Sequence, residues 1–209
     1  MTASALFPRS GRLEGLLQRT SPHCDARPAG VVVSLLVLHY ISLPAGVFEG
    51  ECVDRLFTGT WREGDPEEIR DLRVSAHFFI RRNGEIRQYV SIDDRAWHAG
   101  LSNFRGRNAC NDFSVGVEIE GTGEVPFEDA QYAALGRLVE RLAALLPLEF
   151  VTGHEVIAPG RKQDPGPFFD WDRVERMLPS GLSRATAPED CDRAALEKRM
   201  RELAAAAGR

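Results

Sequence analysis

Apolar positions along the chain fall into dense blocks separated by stretches rich in Pro, Gly and charge, and the blocks alternate between strand-like and helix-like spacing. The run VVVSLLVL at 31–38 is apolar apart from Ser34, as in a central strand covered on both faces. SAHFFIRRNGEIRQYV at 75–90 places β-forming residues on both sides of Asn83-Gly84. That pair is preferred in type I′ turns and predicts a hairpin. FSVGVEIEG at 113–121 alternates apolar with small or charged residues. It predicts a strand ending at Gly121, with Glu118 and Glu120 on one face and Val117 and Ile119 on the other.

Helical spacing appears elsewhere. Tyr132, Leu135, Val139, Leu142 and Leu146 predict a helix from about 128 to 146 with one apolar face. ECVDRLFTG predicts a short helix closed by Gly59. FDWDRVERML predicts another, capped by Asp170 and ending before Pro179. Leu196, Met200, Leu203 and Ala207 form a thin apolar face on a tail of helix formers. Residues 1–30 read as a polar arm, 60–73 as a charged surface loop, and 92–112 as one long irregular stretch. About twenty residues without regular structure usually have a functional reason. The order of elements predicts an α/β domain on a mixed central β-sheet flanked by helices.

The 209 residues suit one domain with appendages. With 43% hydrophobic and 27% charged residues and a net charge of −5, the composition is ordinary for a globular protein. No Lys/Arg block offers a footprint for phosphate backbones, so nucleic acid is not expected as a partner. The N-terminal segment lacks the basic and apolar regions of a secretory signal. No run approaches the ~20 apolar residues of a membrane helix. Cys24, Cys52, Cys110 and Cys191 lie apart, as free thiols of a reducing cytosol do. A cytoplasmic protein with no membrane association is expected.

Chemistry concentrates in GHEVIAPGRKQDPGP at 153–167, which holds His154, Lys162 and Asp164. His39 directly follows the first apolar run. Two neutral imidazoles and a carboxylate give Zn²⁺ three ligands and leave its fourth position to water. Water so bound becomes a nucleophile near neutral pH, so a metal-dependent hydrolase is the leading expectation. Bland readings stand beside this one. His39 could be a polar cap at a sheet edge, Glu118 and Glu120 solvent-facing carboxylates, and Lys162 a free surface charge. His77 reads as a hydrogen-bonded wall residue, while His23 and His98 have no assignable role. Trp97 could offer an apolar face to a sugar ring. Arg73, Arg105 and Arg107 could grip carboxylates or be plain surface charges.

Together, VLHYISLPAG, LFTGT, LRVSAHFFIRRNGEIRQYV, RAWHAGLSNF, CNDFSVGVEIEGT and TGHEVIAPGRKQDPGPFFDW resemble the N-acetylmuramoyl-L-alanine amidases of the amidase-2 class. The likeness is strongest to the cytoplasmic anhydro-muropeptide amidases of cell-wall recycling, and covers roughly residues 20–178. It implies the mixed sheet shared with phage-lysozyme-type amidases and peptidoglycan-recognition proteins. It also implies zinc held by His39, His154 and Asp164, with Asp rather than Cys as the third ligand, as in the bacterial enzymes.

By the same resemblance, Glu118 is the general acid–base, Lys162 steadies the oxyanion, and Arg73 and Trp97 recognise the muramyl group. The implied activity is hydrolysis of the amide between (anhydro-)N-acetylmuramic acid and L-alanine, on small anhydro-muropeptides; separately, a monomer is expected. The expected division is an arm at 1–19, the amidase domain at 20–180 and a helical tail at 181–209, of which the resemblance says nothing. The alternative is a non-catalytic muropeptide receptor on the same scaffold. Such relatives usually lack a ligand, and here the set is complete. An enzyme of the polymeric wall outside the cell would want an export signal or lipid-attachment cysteine, and neither is present. Two positions depart from the pattern: Tyr40 stands where the family usually has Asn, and Ala109 where it often has Arg. Both belong to substrate contact in the family, which leaves preference for sugar and stem peptide open.

Overall fold

The computed structural model describes residues 11–186 and 191–207. Residues 1–10 of the expected arm, and the side chains of Leu203 and Ala207 in the tail, lie outside the described residues. In chain order come β1 (Leu17–Gln18), β2 (Cys24–Ala26), β3 (Leu35–Ile41), α1 (Cys52–Thr58), β4 (Phe78–Ile80) and β5 (Ile86–Gln88). The middle of the chain forms β6 (Asp94–Ala96), β7 (Asn103–Phe104), β8 (Arg107–Asn108), β9 (Ser114–Glu120) and α2 (Asp129–Leu145). Then follow β10 (Phe150–Gly153), α3 (His154–Ile157), α4 (Trp171–Glu175), β11 (Ser183–Arg184) and α5 (Arg193–Ala207).

Seven strands form one mixed sheet in the order β1-β5-β4-β9-β3-β10-β11. Its neighbours are parallel except for the β4–β5 hairpin. Alternation along the strands sorts the side chains into two layers. Leu36, Leu38, Phe78, Ile80, Val115, Val117, Ile119 and Val151 pack beneath α2 and α4. The α2 helix contributes Tyr132, Leu135, Leu138, Val139 and Leu142 to that core, and burying each such side chain stabilises the fold by roughly 1.5–3 kcal/mol. Its start is held by a capping box between Glu128 and Gln131. The opposite face carries a cluster around α1, with Phe57, Phe79 and Tyr89. Beside it lies another, with Val37, Ala99, Phe104 and Ile157.

Several expectations are corrected by this packing. The first strand runs from Leu35 to Ile41 rather than over 31–38. Its length is set by its ladders, with β9 alongside to Ile41 and β10 to Leu38, and not by the apolar run. The hairpin turn is not type I′, because Asn83 has no positive φ. Gly84 N–H bonds Arg81 O at 2.9 Å and Gly84 itself takes φ 82°, so the loop has three residues with glycine in the left-handed position. The stretch 92–112 is partly regular: β6 pairs with β2, and β7 with β8. LEFVTG supplies an inner strand, β10, and His154 opens a helical turn instead of lying in a loop.

Both ends of the expected domain are tied to the body. Within 1–19, Leu13 is buried in the main core and β1 extends the sheet beyond β5. Within 181–209, β11 pairs with β10, and Leu182 and Ala185 are buried. The tail helix α5 meets the body at its start: Asp192 N–H bonds Asn103 Oδ1 at 3.0 Å, and Cys191 and Leu196 are buried. Arg27, in the N-terminal stretch, donates to the carbonyls of Asp112 and Ser114, each at 2.9 Å, which binds that stretch to the base of β9.

Candidate metal centre

Sheet register assembles the site. In the parallel ladders, Thr152 and Gly153 lie abreast of Val37 and Leu38, and His39 lies abreast of Glu118. The residue after β10 is therefore carried up beside His39, and it is His154. A row across the sheet thus brings together His39 of β3, Glu118 of β9 and His154, where β10 passes into α3. Asp164 arrives from the following loop, whose path is held by Glu155 N–H to Asp164 O at 3.0 Å and Lys162 N–H to Ala158 O at 3.1 Å.

His39, His154 and Asp164 are all buried. His39 Nδ1 lies 3.0 Å from His154 Nδ1 and 2.8 Å from Asp164 Oδ2, and His154 Nδ1 lies 3.1 Å from the same oxygen. Among the described residues this is the one group with the spacing of metal ligands. The outward ring nitrogens show where the protons belong. His154 Nε2 lies 3.0 Å from Ala99 O, an acceptor only, so it carries hydrogen and leaves Nδ1 bare. Both protons of Arg161 Nη2 are directed at Ala99 O and Leu101 O, each at 2.7 Å.

The second imidazole is fixed by a longer chain. Ser114 Oγ donates to Cys110 O at 2.6 Å and so accepts from His98 Nε2 at 3.1 Å. His98 Nδ1 is then an acceptor, 3.0 Å from His39 Nε2. That gives His39 its hydrogen on Nε2 and leaves Nδ1 bare. Burial, reinforced by neighbouring imidazoles, moves His98 well below its usual pKa. Burial and the charge of His154 likewise bring His39 down to about 4. Three lone pairs thus face one point without a proton between them. This donor set fits a divalent cation, and N₂O ligation is that of a zinc site.

Glu118 lies beside the triad. Its Oε2 is buried without a hydrogen-bond partner among the described residues. Burial, then the charge of Asp164, raises its carboxyl well above the usual range, with Lys162 opposing. Lys162 is exposed and near enough to act electrostatically on both His39 and Glu118. Glu120 shares the face but is committed to the backbone, accepting from Glu49 N–H at 2.7 Å and Arg82 N–H at 2.9 Å. Arg73 is exposed, with its guanidinium 3.4 Å from Leu72 O. Trp97 is half-buried, donates from its indole to Asp25 at 3.0 Å and stacks on His23. Neither hydrogen-bonds the triad among the described residues.

Other placements were not visible in the sequence. His98, which had no assignable role, touches His39. His77, by contrast, is the hydrogen-bonded wall residue the sequence suggested, accepting Gly116 N–H on Nδ1 at 3.0 Å, with Nε2 3.1 Å from Asp94 O. Tyr40 belongs to the opposite face from His39, packed on the main core and against Gly123 and Gly166. It therefore buttresses the loop that follows Asp164. Ala109 takes a left-handed φ of 60° immediately before the turn at Cys110.

The geometry has known counterparts. Residues 29–167 match the family model described as Amidase_2, N-acetylmuramoyl-L-alanine amidase. The 1,6-anhydro-N-acetylmuramyl-L-alanine amidase AmpD of Escherichia coli K12 is 52% identical over 176 residues, 80% of this chain and 94% of that protein. A crystal structure of a selenomethionine AmpD derivative superposes with a TM-score of 0.78 at 47% identity, covering 83% of this chain and 99% of the other. The E. coli amidase AmiD, solved with anhydro-N-acetylmuramic acid-L-Ala-D-gamma-Glu-L-Lys, gives a TM-score of 0.54 at 32% identity, over 72% and 60% of the two chains. Among the described residues, no helix is long and apolar enough to cross a membrane.

Proposed function

The chain belongs to the amidase-2 family of N-acetylmuramoyl-L-alanine amidases, and on that premise we propose that it is a zinc-dependent enzyme of cytoplasmic muropeptide recycling. Its reaction is hydrolysis of the amide between 1,6-anhydro-N-acetylmuramic acid and L-alanine of a stem peptide. The carrying observation is the meeting of three unprotonated donor atoms, from His39, His154 and Asp164, with Glu118 abreast of His39. Relatives of similar length and half-identical sequence act, by name, on the anhydro-muramyl-alanine linkage.

Zinc, when bound by the triad, supplies a Lewis acid and lowers the pKa of water. The protein's own groups do the rest. Glu118, through its unpartnered Oε2, takes the proton of the attacking water and hands it to the departing alanine amine. No hydrogen bond competes for that oxygen among the described residues, so it is available for both transfers. Lys162 places an ammonium beside the same space, where it offsets charge growing on the amide oxygen. Arg73 and the exposed part of Trp97 are assigned to the substrate's carboxylate and sugar face. Tyr40, packed behind the loop that follows Asp164, and Ala109, in the turn before Cys110, take no part in the chemical step.

The test is mass spectrometry of purified protein incubated with an anhydro-muropeptide. Release of the anhydro-sugar and free peptide, stopped by a chelator and restored by Zn²⁺, is the expected result. Tight binding without cleavage would make the protein a receptor. Cleavage indifferent to chelator would remove zinc from the scheme.

A further inference from the structure

His98 lies outside the triad, yet its surroundings are built to hold it in one orientation. Its backbone N–H and that of Ala99 both donate to Asn111 Oδ1, at 3.1 and 2.8 Å. Its ring lies flush on β9 at Gly116, where a Cβ would come within 2.4 Å of His98 Cγ. Nε2 meets Ser114 Oγ, whose own hydrogen is spent on Cys110 O, and Nδ1 meets His39 Nε2. The two rings meet nitrogen to nitrogen with twisted planes, their centroids 5.1 Å apart and planes at 78°. That geometry suits an N–H of one aimed at the in-plane lone pair of the other. The turn at Cys110–Asp112 and strand β9 are thus both used to place one lone pair.

We propose that His98 is a positioning residue for the metal site: oriented by Ser114, it accepts from His39 Nε2–H and so fixes His39 in the tautomer whose Nδ1 faces His154 and Asp164. An imidazole free to place its hydrogen on either nitrogen would spend part of its time with a proton, not a lone pair, toward the centre. Removing such a partner commonly costs 10–100-fold in metal affinity. The proposal rests on reading the triad as a zinc site, and the experiment separates the two.

Zinc affinity is measured by competition with a chromogenic chelator for the full-length wild type, His98→Asn, His98→Leu and Ser114→Ala. Asn keeps an acceptor near the position of Nδ1, whereas Leu keeps bulk without one. His98→Leu is expected to lose roughly 10–100-fold. His98→Asn should recover most of that loss, and Ser114→Ala should fall between. Nitrogen NMR of the zinc-loaded wild type should show His98 protonated on Nε2, with a through-hydrogen-bond coupling between His39 Nε2 and His98 Nδ1. This readout does not depend on any variant folding. Unchanged affinity in His98→Leu, equal losses in Asn and Leu, or a His98 proton on Nδ1 would each overturn the relay. Failure of the wild type to bind zinc would instead overturn the reading on which it rests.

Discussion

Gly116→Ala tests how tightly the site is packed against the sheet. Gly116 has no left-handed φ, so alanine is conformationally free there. By chain entropy alone it would add about 0.4–1 kcal/mol of stability. Packing reverses the sign. The new Cβ would lie 2.4 Å from His98 Cγ and 2.6 Å from both Cδ2 and Nδ1, against an ordinary carbon contact of about 3.5 Å. The ring has to retreat by about 1 Å, and it is bonded at both ends, at 3.0 and 3.1 Å. Overpacking costs about 1–3 kcal/mol, and each lost buried hydrogen bond about 1 kcal/mol more. Set against the entropic gain, the net expectation is a loss of about 1–4.5 kcal/mol, read from urea unfolding of the metal-free protein. Gly50→Ala is the control, because a Cβ there meets nothing within 4 Å. A loss below about 0.5 kcal/mol in Gly116→Ala, no larger than a surface substitution, would refute the claim that His98 is held rigidly against β9.

His154→Ala should abolish stoichiometric zinc and turnover together, and zinc retained at one ion per chain would break the ligand assignment. Glu118→Gln should keep zinc and fold but lose ~10²–10⁴-fold in turnover, while Glu120→Gln, whose carboxylate serves the backbone, should chiefly lower stability; the reverse pattern would exchange their roles. Asp65, bonded to Arg55 Nε at 2.6 Å and to Arg62 N–H at 3.0 Å, has its pKa held far below the usual carboxylate range, mainly by Arg55. Its contribution is therefore present above the unfolded carboxylate pKa of about 4 and lost as pH falls below it. Asp65→Asn should cost about 1–3 kcal/mol at pH 7, and the gap to wild type should narrow in acid; a gap constant from pH 7 to 2 would sink this. Truncation after Thr186 keeps β11 and should preserve zinc binding, whereas truncation after Ser180 removes buried Leu182 and should cost at least about 1.5–3 kcal/mol more; equal stabilities by urea unfolding would contradict the place of β11 in the sheet.

Local rules were enough for much of this molecule. Gly59 ends α1 in the left-handed conformation with its N–H on the Leu56 and Arg55 carbonyls, and the apolar stripe of α2 is buried as its spacing predicts. Alternation in VGVEIEG separates Glu118 and Glu120 from Val117 and Ile119, because side-chain direction in a strand follows from position alone. His39, His154 and Asp164 could be named from their residue types and motif. What the chain did not disclose is whatever depends on register and on partners distant in sequence. The end of β3 is decided by the ladders on either side, so His39 lies inside a strand and not after one. His98 had no visible role because its partners, His39 and Ser114, are 59 and 16 residues away, and Gly116 reads as a weak strand residue until a ring is laid on it. A proton's place on an imidazole is decided by what faces the other nitrogen, and only the folded sheet brings those groups face to face.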